Sequence, residues 1–342
     1  MQEPPLKRSR GGNGDALTIF NDEEGPIRTS SLAAPTMRLT GHKGSVYALA
    51  YDAKGDTLCS GSFDKTCLLW NAANGHYENY NVLEGHKNAV LDVQFVQAGS
   101  DVVVTASADK TVGYWDTLTG SRLKRFTGHE GVVNAVAVPK SGSPHVVVSA
   151  SDDCTARIWD ARLRGGQSAV QLLHDYQVTA VAIDLDGNTI YTGGIDNCIH
   201  AHDIRQAARR TMTMKGHKDT ITCLSICPNG NYLLSQSMDS TLKSWDIRPF
   251  ASTKRLNKTF VGSTHNAEKG LLRCSWSSDA SMVSGGSADR VVHIWDEYSS
   301  EELYYLPGHT GCVNSVIFHP VEKNVVASAS SDNTIYVGEL AS

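Results

Sequence analysis

The sequence predicts an all-β protein, a seven-bladed β-propeller whose ring is closed by its N-terminal strand. Two observations predict this fold. Apolar residues recur at every second position in short runs broken by Gly, Ser and Asp, a pattern typical of β-strands joined by tight turns. The unit best seen in residues 83–116 recurs seven times, with 43–48 residues between equivalent positions. A single unit cannot bury its own apolar face, so the copies must stack side by side as four-stranded blades.

Three positions mark each copy: a histidine near its start, an aspartate 22–24 residues later, and six residues further a position that is usually tryptophan. The front histidines are His42, His86, His129, His174, His217, His265 and His309. The turn aspartates are Asp64, Asp109, Asp153, Asp196, Asp239, Asp289 and Asp332. The last position holds Trp70, Trp115, Trp159, His202, Trp245, Trp295 and Gly338.

Four blades carry a complete quartet, defined as the front histidine, a Ser or Thr four residues before the aspartate, the turn aspartate and the tryptophan. Buried polar groups persist only when they are hydrogen-bonded, and each such bond is worth ~1 kcal/mol net. An active site requires one constellation, whereas this set recurs around the ring. We therefore predict a structural role, with no catalytic residue, metal site or cofactor. The quartets are His42, Ser60, Asp64 and Trp70; His86, Thr105, Asp109 and Trp115; His129, Ser149, Asp153 and Trp159; and His217, Ser235, Asp239 and Trp245.

The other three blades keep the front histidine and the turn aspartate but depart elsewhere. Blade four has His202 in place of the tryptophan, blade six has Gly285 at the hydroxyl position, and blade seven has Gly338 in place of the tryptophan. We expect blade seven, which lacks the aromatic side chain, to depend on the strand that closes the ring.

The chain ends predict how the ring closes. Residues 35–40 have the pattern of an outer strand but precede the first front histidine, and the sequence stops after the third strand of the seventh copy. We expect residues 35–40 to supply the missing outer strand of the last blade, because pairing there removes two open sheet edges. Residues 35–340 are predicted to form one propeller, and residues 1–30 a flexible tail. Within the tail, the basic stretch 4–10 is either a nuclear import signal or a solvated run of charge.

Bulk composition narrows the possible functions. A net charge of −5 argues against a general nucleic-acid-binding surface, which usually needs a basic field. No apolar run approaches the 18–20 residues of a membrane span, so we expect a soluble intracellular protein. The eight cysteines lack paired spacing, which is typical of buried thiols in a reducing compartment.

The Gly-His start and Trp-Asp end at this period resemble the WD-repeat β-propeller family over about residues 35–340. Stretches such as MDSTLKSWDIRPF (238–250) and HNAEKGLLRCSWSSD (265–279) resemble a branch that serves the spliceosome, whereas HAHD (200–203) and the tail depart from it. The resemblance implies a nuclear, non-catalytic scaffold, a subunit of the U5 small nuclear ribonucleoprotein acting in pre-mRNA splicing. It also implies binding to the large U5 scaffold protein, pre-mRNA-processing-splicing factor 8, with RNA association only through protein neighbours.

A long connection in blade five is the candidate partner-binding segment. Residues 248–269 exceed their counterparts in length, and insertions on blade faces are where binding usually occurs. Arginine and aromatic residues dominate interface energetics. The segment is either an anchor for a protein partner or a solvated linker. The candidate residues are Arg248, Phe250, Lys254, Arg255 and Lys258.

The alternative function, from another class, is a substrate receptor of a cullin-type ubiquitin ligase. Its feature is Trp-Asp-x-Arg, which occurs at residues 159–162 and 245–248 and in degenerate form at 202–205. Arginine after a strand end is also common on a propeller surface, so the pattern by itself leaves both interpretations open.

Overall fold

The computed structural model describes residues 6–7, 30–96, 101–141, 143, 145–163, 165–206, 209–251, 254–266 and 270–341. They form seven antiparallel sheets that follow one another along the chain as the blades of a propeller. The all-β prediction is confirmed: across this part of the chain the helical structure amounts to one 3₁₀ turn, Ile204–Gln206.

The strands are numbered in chain order. Two N-terminal strands, β1 (Leu6–Lys7) and β2 (Thr36–Leu39), join blades six and seven, respectively. Blade one contains β3 (Val46–Tyr51), β4 (Thr57–Ser62), β5 (Cys67–Asn71) and β6 (Glu78–Leu83). Blade two contains β7 (Val90–Phe95), β8 (Val102–Ser107), β9 (Val112–Asp116) and β10 (Arg122–Phe126). Blade three contains β11 (Val133–Ala137), β12 (Val146–Ser151), β13 (Thr155–Asp160) and β14 (Val170–Leu173). Blade four contains β15 (Val178–Ile183), β16 (Thr189–Gly194), β17 (Cys198–Asp203) and β18 (Arg209–Lys215).

The remaining blades follow the same order. Blade five contains β19 (Ile221–Ile226), β20 (Tyr232–Ser237), β21 (Thr241–Asp246) and β22 (Leu256–Val261). Blade six contains β23 (Cys274–Trp276), β24 (Met282–Gly285), β25 (Val292–Asp296) and β26 (Glu302–Leu306). Blade seven contains β27 (Val313–Phe318), β28 (Val325–Ser330) and β29 (Ile335–Glu339), to which β2 is added.

The hydrophobic core lies between blades. The innermost strands are buried almost throughout, as in β11 and β15, whereas an outermost strand such as β6 is largely exposed. Leu69 of blade one packs with Val93 and Trp115 of blade two in one such cluster. Because each sheet buries both faces against its neighbours, no blade has a core of its own, and stability depends on a complete ring.

The ring is closed by β2, as the sequence predicts. This strand pairs antiparallel with β29, and Met37 faces Val337 in the register. Leu39 is buried in a cluster that also contains Leu58 of blade one and Ile335 of blade seven. The N-terminal strand therefore completes the last blade and joins it to the first.

The tail contributes one feature that the sequence did not predict. Leu6–Lys7 pair with Tyr304 and Tyr305 of β26, adding a short fifth strand to blade six. The other residues of the basic stretch 4–10, and most of the predicted flexible tail, lie outside the described residues.

Neighbouring blades are also linked by polar side chains around the ring axis. Six innermost strands have a register shift at their second residue, which leaves that residue outside the regular pairing. Asn134 uses this position to donate to the backbone oxygen of Val178 in the next blade at 3.1 Å. Asn314 donates likewise to Val46 at 2.8 Å, across the junction of the last and first blades.

One ion pair crosses the ring. Arg273, just before β23 of blade six, lies 3.1 Å from the Asp92 carboxylate of blade two. Its guanidinium also donates to the backbone oxygens of Leu91, at 2.9 Å, and Asn134, at 3.0 Å. Blades two and three lie opposite blade six in a ring of seven, so this side chain spans the centre and holds opposite blades together.

Candidate functional site

The quartet of blade two illustrates the geometry of the complete quartets. The Thr105 hydroxyl accepts a hydrogen bond from the indole nitrogen of Trp115 at 2.9 Å and lies 2.7 Å from Nε2 of His86. Nδ1 of His86 lies 2.9 Å from the Asp109 carboxylate, which also accepts from the backbone amide of Lys87. An ionised carboxylate only accepts hydrogen bonds, so Nδ1 carries a proton and donates it. The quartet thus connects the start of the blade to the turn after the second strand, and through Thr105 of the second strand to Trp115 of the third.

All sixteen predicted quartet residues are brought together in this way. The Nδ1–carboxylate distances are 2.7–3.0 Å, the Nε2–hydroxyl distances 2.7–2.8 Å, and the indole–hydroxyl distances 2.8–3.0 Å. Burial opposes ionisation of Asp64, but hydrogen bonds from His42, Thr66 and the Lys43 amide outweigh it and hold the pKa of that carboxyl well below its ordinary value. Asp109, Asp153 and Asp239 behave in the same way.

Blade four does not use its front histidine to bind the turn aspartate. Asp196 is bound by Nε2 of His200, at 2.6 Å, whereas Nε2 of His174 is buried without a hydrogen-bond partner among the described residues. The His174 ring lies 5.7 Å from the His200 ring and 5.3 Å from that of His202. Burial and these two histidines lower the pKa of His174 to about 4. His202 nevertheless occupies the tryptophan register, opposite Ile190 in β16.

Blade six makes the same exchange. His293 binds Asp289 through Nε2 at 2.8 Å and Glu302 through Nδ1 at 2.7 Å, and the front histidine is not the partner of the turn aspartate. Gly285 supplies no hydroxyl, so Trp295 donates instead to the backbone oxygen of Val261 at 2.9 Å. The front histidines His174 and His265 therefore do not bind the turn aspartates of their blades. The signal that predicts the exchange is a histidine four residues after the turn aspartate, which only these two blades have.

Blade seven keeps its His–Asp pair despite lacking the tryptophan. His309 lies 3.0 Å from the Asp332 carboxylate and 2.9 Å from the Ser328 hydroxyl. The ring of Tyr336 meets the His309 ring edge-on, with centroids 4.6 Å apart. Tyr336 thus supplies an aromatic contact from two residues before Gly338.

The His–Asp contact recurs in all seven blades, from the front histidine in five of them and from a third-strand histidine in blades four and six. Within the described ranges, no group of three or more His, Cys, Asp or Glu side chains is placed to hold a metal ion. In the five blades that use the front histidine, the networks fix the loop before the innermost strand against the turn between the second and third strands. Their structural role stays a prediction that substitutions must test.

The candidate partner-binding residues of blade five fall into two groups, those whose side chains bind neighbouring residues and those that are exposed. Arg248 binds Asp246 through Nε at 3.0 Å, and its guanidinium lies 5.7 Å from the Tyr232 ring centroid. Arg255 donates to the backbone oxygens of Asp246, at 3.2 Å, and Arg248, at 2.5 Å. Both arginines stabilise the connection itself, of which residues 252–253 and 267–269 lie outside the described residues.

Lys258 links blade five to blade six. Its ammonium donates to the backbone oxygens of Tyr298, at 2.8 Å, and Glu297, and lies 3.3 Å from the Glu297 carboxylate. The contact holds the loop between β25 and β26. Lys258 is therefore occupied within the ring rather than directed at solvent.

Two other blades use the same link from their outermost strand. Asn81 donates to the backbone oxygens of Thr117, at 3.1 Å, and Leu118, at 3.2 Å, in the loop of blade two. Lys124 donates to Ala161, at 2.7 Å, and to Leu163 in the loop of blade three. Each link fixes a loop that carries an exposed apolar side chain.

Two aromatic side chains stand out at this end of the ring. Phe250 is fully exposed, and Tyr298, in the equivalent loop of the next blade, is 88% exposed. Lys254 is also exposed. Tyr298 is held by Lys258 beneath it, with the ammonium 5.5 Å from the ring centroid. We call Phe250 and Tyr298 the aromatic pair; the second member was missed in the sequence because it lies outside the long connection.

The arginines of the Trp-Asp-x-Arg pattern fold back on their own aspartates. Arg162 binds Asp160 through Nη2 at 2.7 Å, and Arg205 binds Asp203 at 3.2 Å. Arg248 behaves alike with Asp246. These pairs close a tight turn after the third strand, and the arginine side chains are half or more exposed, whereas the aspartates are largely buried.

No helix in the described part of the chain is long and apolar enough to cross a membrane.

Seven consecutive antiparallel sheets closed by an N-terminal strand, with the repeated His–Asp networks, define a propeller of the Gly-His/Trp-Asp type. The family model described as "WD domain, G-beta repeat" matches seven times, at residues 33–71, 77–116, 120–160, 167–203, 208–246, 255–296 and 300–337. The chain belongs to this WD40 family, as the sequence predicts.

Relatives make the assignment more specific. The chain is 45% identical to the U5 small nuclear ribonucleoprotein 40 kDa protein of Dictyostelium discoideum, over 99% of this chain and 92% of that protein. It is 46% identical to the human protein of the same name, over 93% of this chain and 87% of the other. It is 41% identical to pre-mRNA-splicing factor cwf17 of Schizosaccharomyces pombe, over 98% of this chain and 95% of that protein. The resemblance inferred from the stretches at 238–250 and 265–279 is thereby confirmed.

Proposed function

We propose that this protein is a non-catalytic subunit of the U5 small nuclear ribonucleoprotein and acts in pre-mRNA splicing in the nucleus. The observation that carries the proposal is that relatives named for this particle or for splicing match at 41–46% identity over nearly the whole chain. A more distant relative, the guanine nucleotide-binding protein subunit beta of Nicotiana tabacum, is 28% identical over 73% of the chain. The similarity therefore extends beyond what the repeat alone requires.

The proposed partner is the large U5 scaffold protein, pre-mRNA-processing-splicing factor 8, bound through the aromatic pair. Phe250 and Tyr298 lie in equivalent loops of adjacent blades, so both face the same end of the ring. Exposed aromatics on a rigid frame lose little conformational entropy when they are buried by a partner. The charged neighbours support this surface: Arg248 and Arg255 shape the first loop, and Lys258 fixes the second.

The test is affinity purification of the tagged full-length protein from nuclear extract at moderate salt, with co-purifying proteins identified by mass spectrometry. The double variant F250A/Y298A should lose U5 proteins, because it removes two exposed aromatic side chains without touching the core. The matched control is L118A/L163A, which truncates exposed apolar residues in the equivalent loops of blades two and three. Circular dichroism confirms that both variants are folded.

Further substitutions separate charge from loop shape. K254A removes an exposed charge, whereas K258A removes the link to the loop of Tyr298. We expect K258A to weaken binding more than K254A. Retention of U5 proteins by F250A/Y298A would show that the partner docks on another surface. Recovery of a cullin ligase adaptor without any splicing protein would favour the alternative function.

A further inference from the structure

A second surface lies at the opposite end of the blades, where the innermost strands begin. In the five blades whose front histidine binds the turn aspartate, that aspartate lies between the residue after the histidine and the residue after the aspartate. The backbone amides of Lys43 and Lys87 donate to Asp64 and Asp109, both at 2.9 Å. The residues directly after these aspartates are Lys65 and Lys110, whose backbones are in the left-handed conformation with φ of 75° and 70°. The quartets thus fix the backbone from which these four lysine side chains project.

Only blades one and two carry lysine at both flanking positions. The two blades are neighbours, so the four lysines form one patch, here called the lysine patch: Lys43, Lys65, Lys87 and Lys110. The pairs in blades three to seven are Glu130 and Cys154, Asp175 and Asn197, Lys218 and Ser240, Asn266 and Arg290, and Thr310 and Asn333. Lysine at both flanking positions is therefore confined to two adjacent blades, whereas blades five and six carry one cation each at these positions, Lys218 and Arg290.

The four lysines of the patch outnumber the two carboxylates that they flank, Asp64 and Asp109, which are already hydrogen-bonded to His42 and His86. All four side chains are exposed, and none forms an ion pair with any residue that the structure describes. Phe63 lies in the turn between β4 and β5 of blade one, and its side chain is 58% exposed. Its backbone amide donates a hydrogen bond to the backbone oxygen of Ser45 at 2.9 Å. A rigid aromatic side chain beside unpaired cations is complementary to an acidic segment that also carries an apolar residue.

The residues around the lysine patch favour an acidic peptide over a nucleic-acid strand as its ligand. Blade three places exposed Glu130 at the border of the patch, with half-buried Asp152 in the next turn. A nucleic-acid strand needs a longer basic track and several stacking aromatics, and these carboxylates would repel phosphates that continued past blade two. The net charge of −5 adds to that repulsion. A short carboxylate-rich peptide fits within two blades.

We propose that the lysine patch with Phe63 is a docking site for a short acidic segment of a partner protein, separate from the aromatic pair. The occupant is a stretch of Asp and Glu that carries one apolar or aromatic residue to cover Phe63. Its contribution is electrostatic and depends on ionic strength.

The test is fluorescence anisotropy with the full-length protein and a labelled Asp/Glu-rich peptide containing one Phe. The wild type should bind it, with affinity falling steeply as the salt rises from about 0.05 to 0.3 M, because exposed charges are screened over a shorter distance. The quadruple variant K43Q/K65Q/K87Q/K110Q should lose roughly tenfold or more in affinity, since four exposed ion pairs are removed. F63A should lose less affinity for the peptide than the quadruple variant does, and by the same factor at every salt concentration.

The matched control is K54Q/K215Q/K218Q/K323Q, which removes the same charge from exposed positions elsewhere on the ring. It should bind the acidic peptide within about twofold of the wild type, because distant surface charges are screened. Equal losses in the two quadruple variants would show only a net-charge effect and overturn the proposal. Tighter binding of a uridine oligonucleotide of equal length, abolished by the same lysine substitutions, would overturn it in favour of RNA.

Discussion

Removing the hydroxyl at the centre of a quartet is the most direct test of the networks. In blade two the Thr105 side chain is fully buried and contacts both the Trp115 indole nitrogen and His86 Nε2. Thr105→Val keeps the shape and the β-branch but deletes the oxygen. The indole N–H and the imidazole nitrogen would then be buried without their partner.

The expected cost follows from those two orphaned groups. A buried polar group left unsatisfied costs about 1–3 kcal/mol, so two such groups should make Thr105→Val destabilise the protein by about 2–6 kcal/mol. With an unfolding entropy of roughly 2.1 cal/mol/K per residue, 342 residues give about 0.7 kcal/mol/K. The loss therefore corresponds to a fall in Tm of about 3–9 °C.

Blade four supplies a matched control at the same register. Thr192 is equally buried, but its hydroxyl has only long contacts, 3.4 Å to His202 Nε2 and 3.5 Å to the backbone oxygen of His200. Thr192→Val should cost less than about 1 kcal/mol, because weak geometry contributes little. The assay is thermal and urea unfolding of both variants by circular dichroism and tryptophan fluorescence. Equal losses would refute the view that the complete quartets contribute through their central hydroxyl.

Three further predictions concern single elements of the ring. Trp115→Ala should lower the free energy of unfolding by ~3–5 kcal/mol, the usual range for a buried aromatic. His202→Ala should lower it less in the same urea series, because the blade-four network lacks the indole. Comparable losses in the two variants would contradict this. Deleting residues 1–30 should leave Tm nearly unchanged, whereas deleting 1–41 removes β2 and should cause aggregation or a large loss of stability, so equal melting curves would refute ring closure. The pKa of His174 is lowered from 6.5 to about 4, so the unfolded chain binds more protons between these values and stability should fall as pH drops through that window. His174→Gln should flatten Tm against pH between about 6.5 and 4, and an unchanged slope would show that other groups control it.

How far the sequence predicts the molecule differs between fold and site. The period and the alternation predict seven blades, and the unmatched strand before His42 predicts the closure by β2. Residue identities at fixed offsets also predict which side chains meet in blades one, two, three and five. These features follow from short-range rules: the side-chain period of a strand, turn chemistry, and the need to pair every edge.

Blades four and six show where such rules end. The front histidine and the turn aspartate are present in both blades. The aspartate is bound instead by a histidine of the third strand, which is His200 in blade four and His293 in blade six. Which donor binds depends on the distance across neighbouring strands, which the spacing along the chain does not specify.

The sequence by itself determined the blades, their number and the closure of the ring, because each of these depends on local pattern repeated along the chain. Only the tertiary structure decided the contacts between elements far apart in sequence. Arg273 meets Asp92 because the ring brings blade six opposite blade two. Lys258 holds the loop of Tyr298 because the outermost strand of one blade lies beside the loop of the next. A charged side chain pairs with whatever the fold places within reach, and that neighbour is fixed by ring geometry rather than by sequence separation.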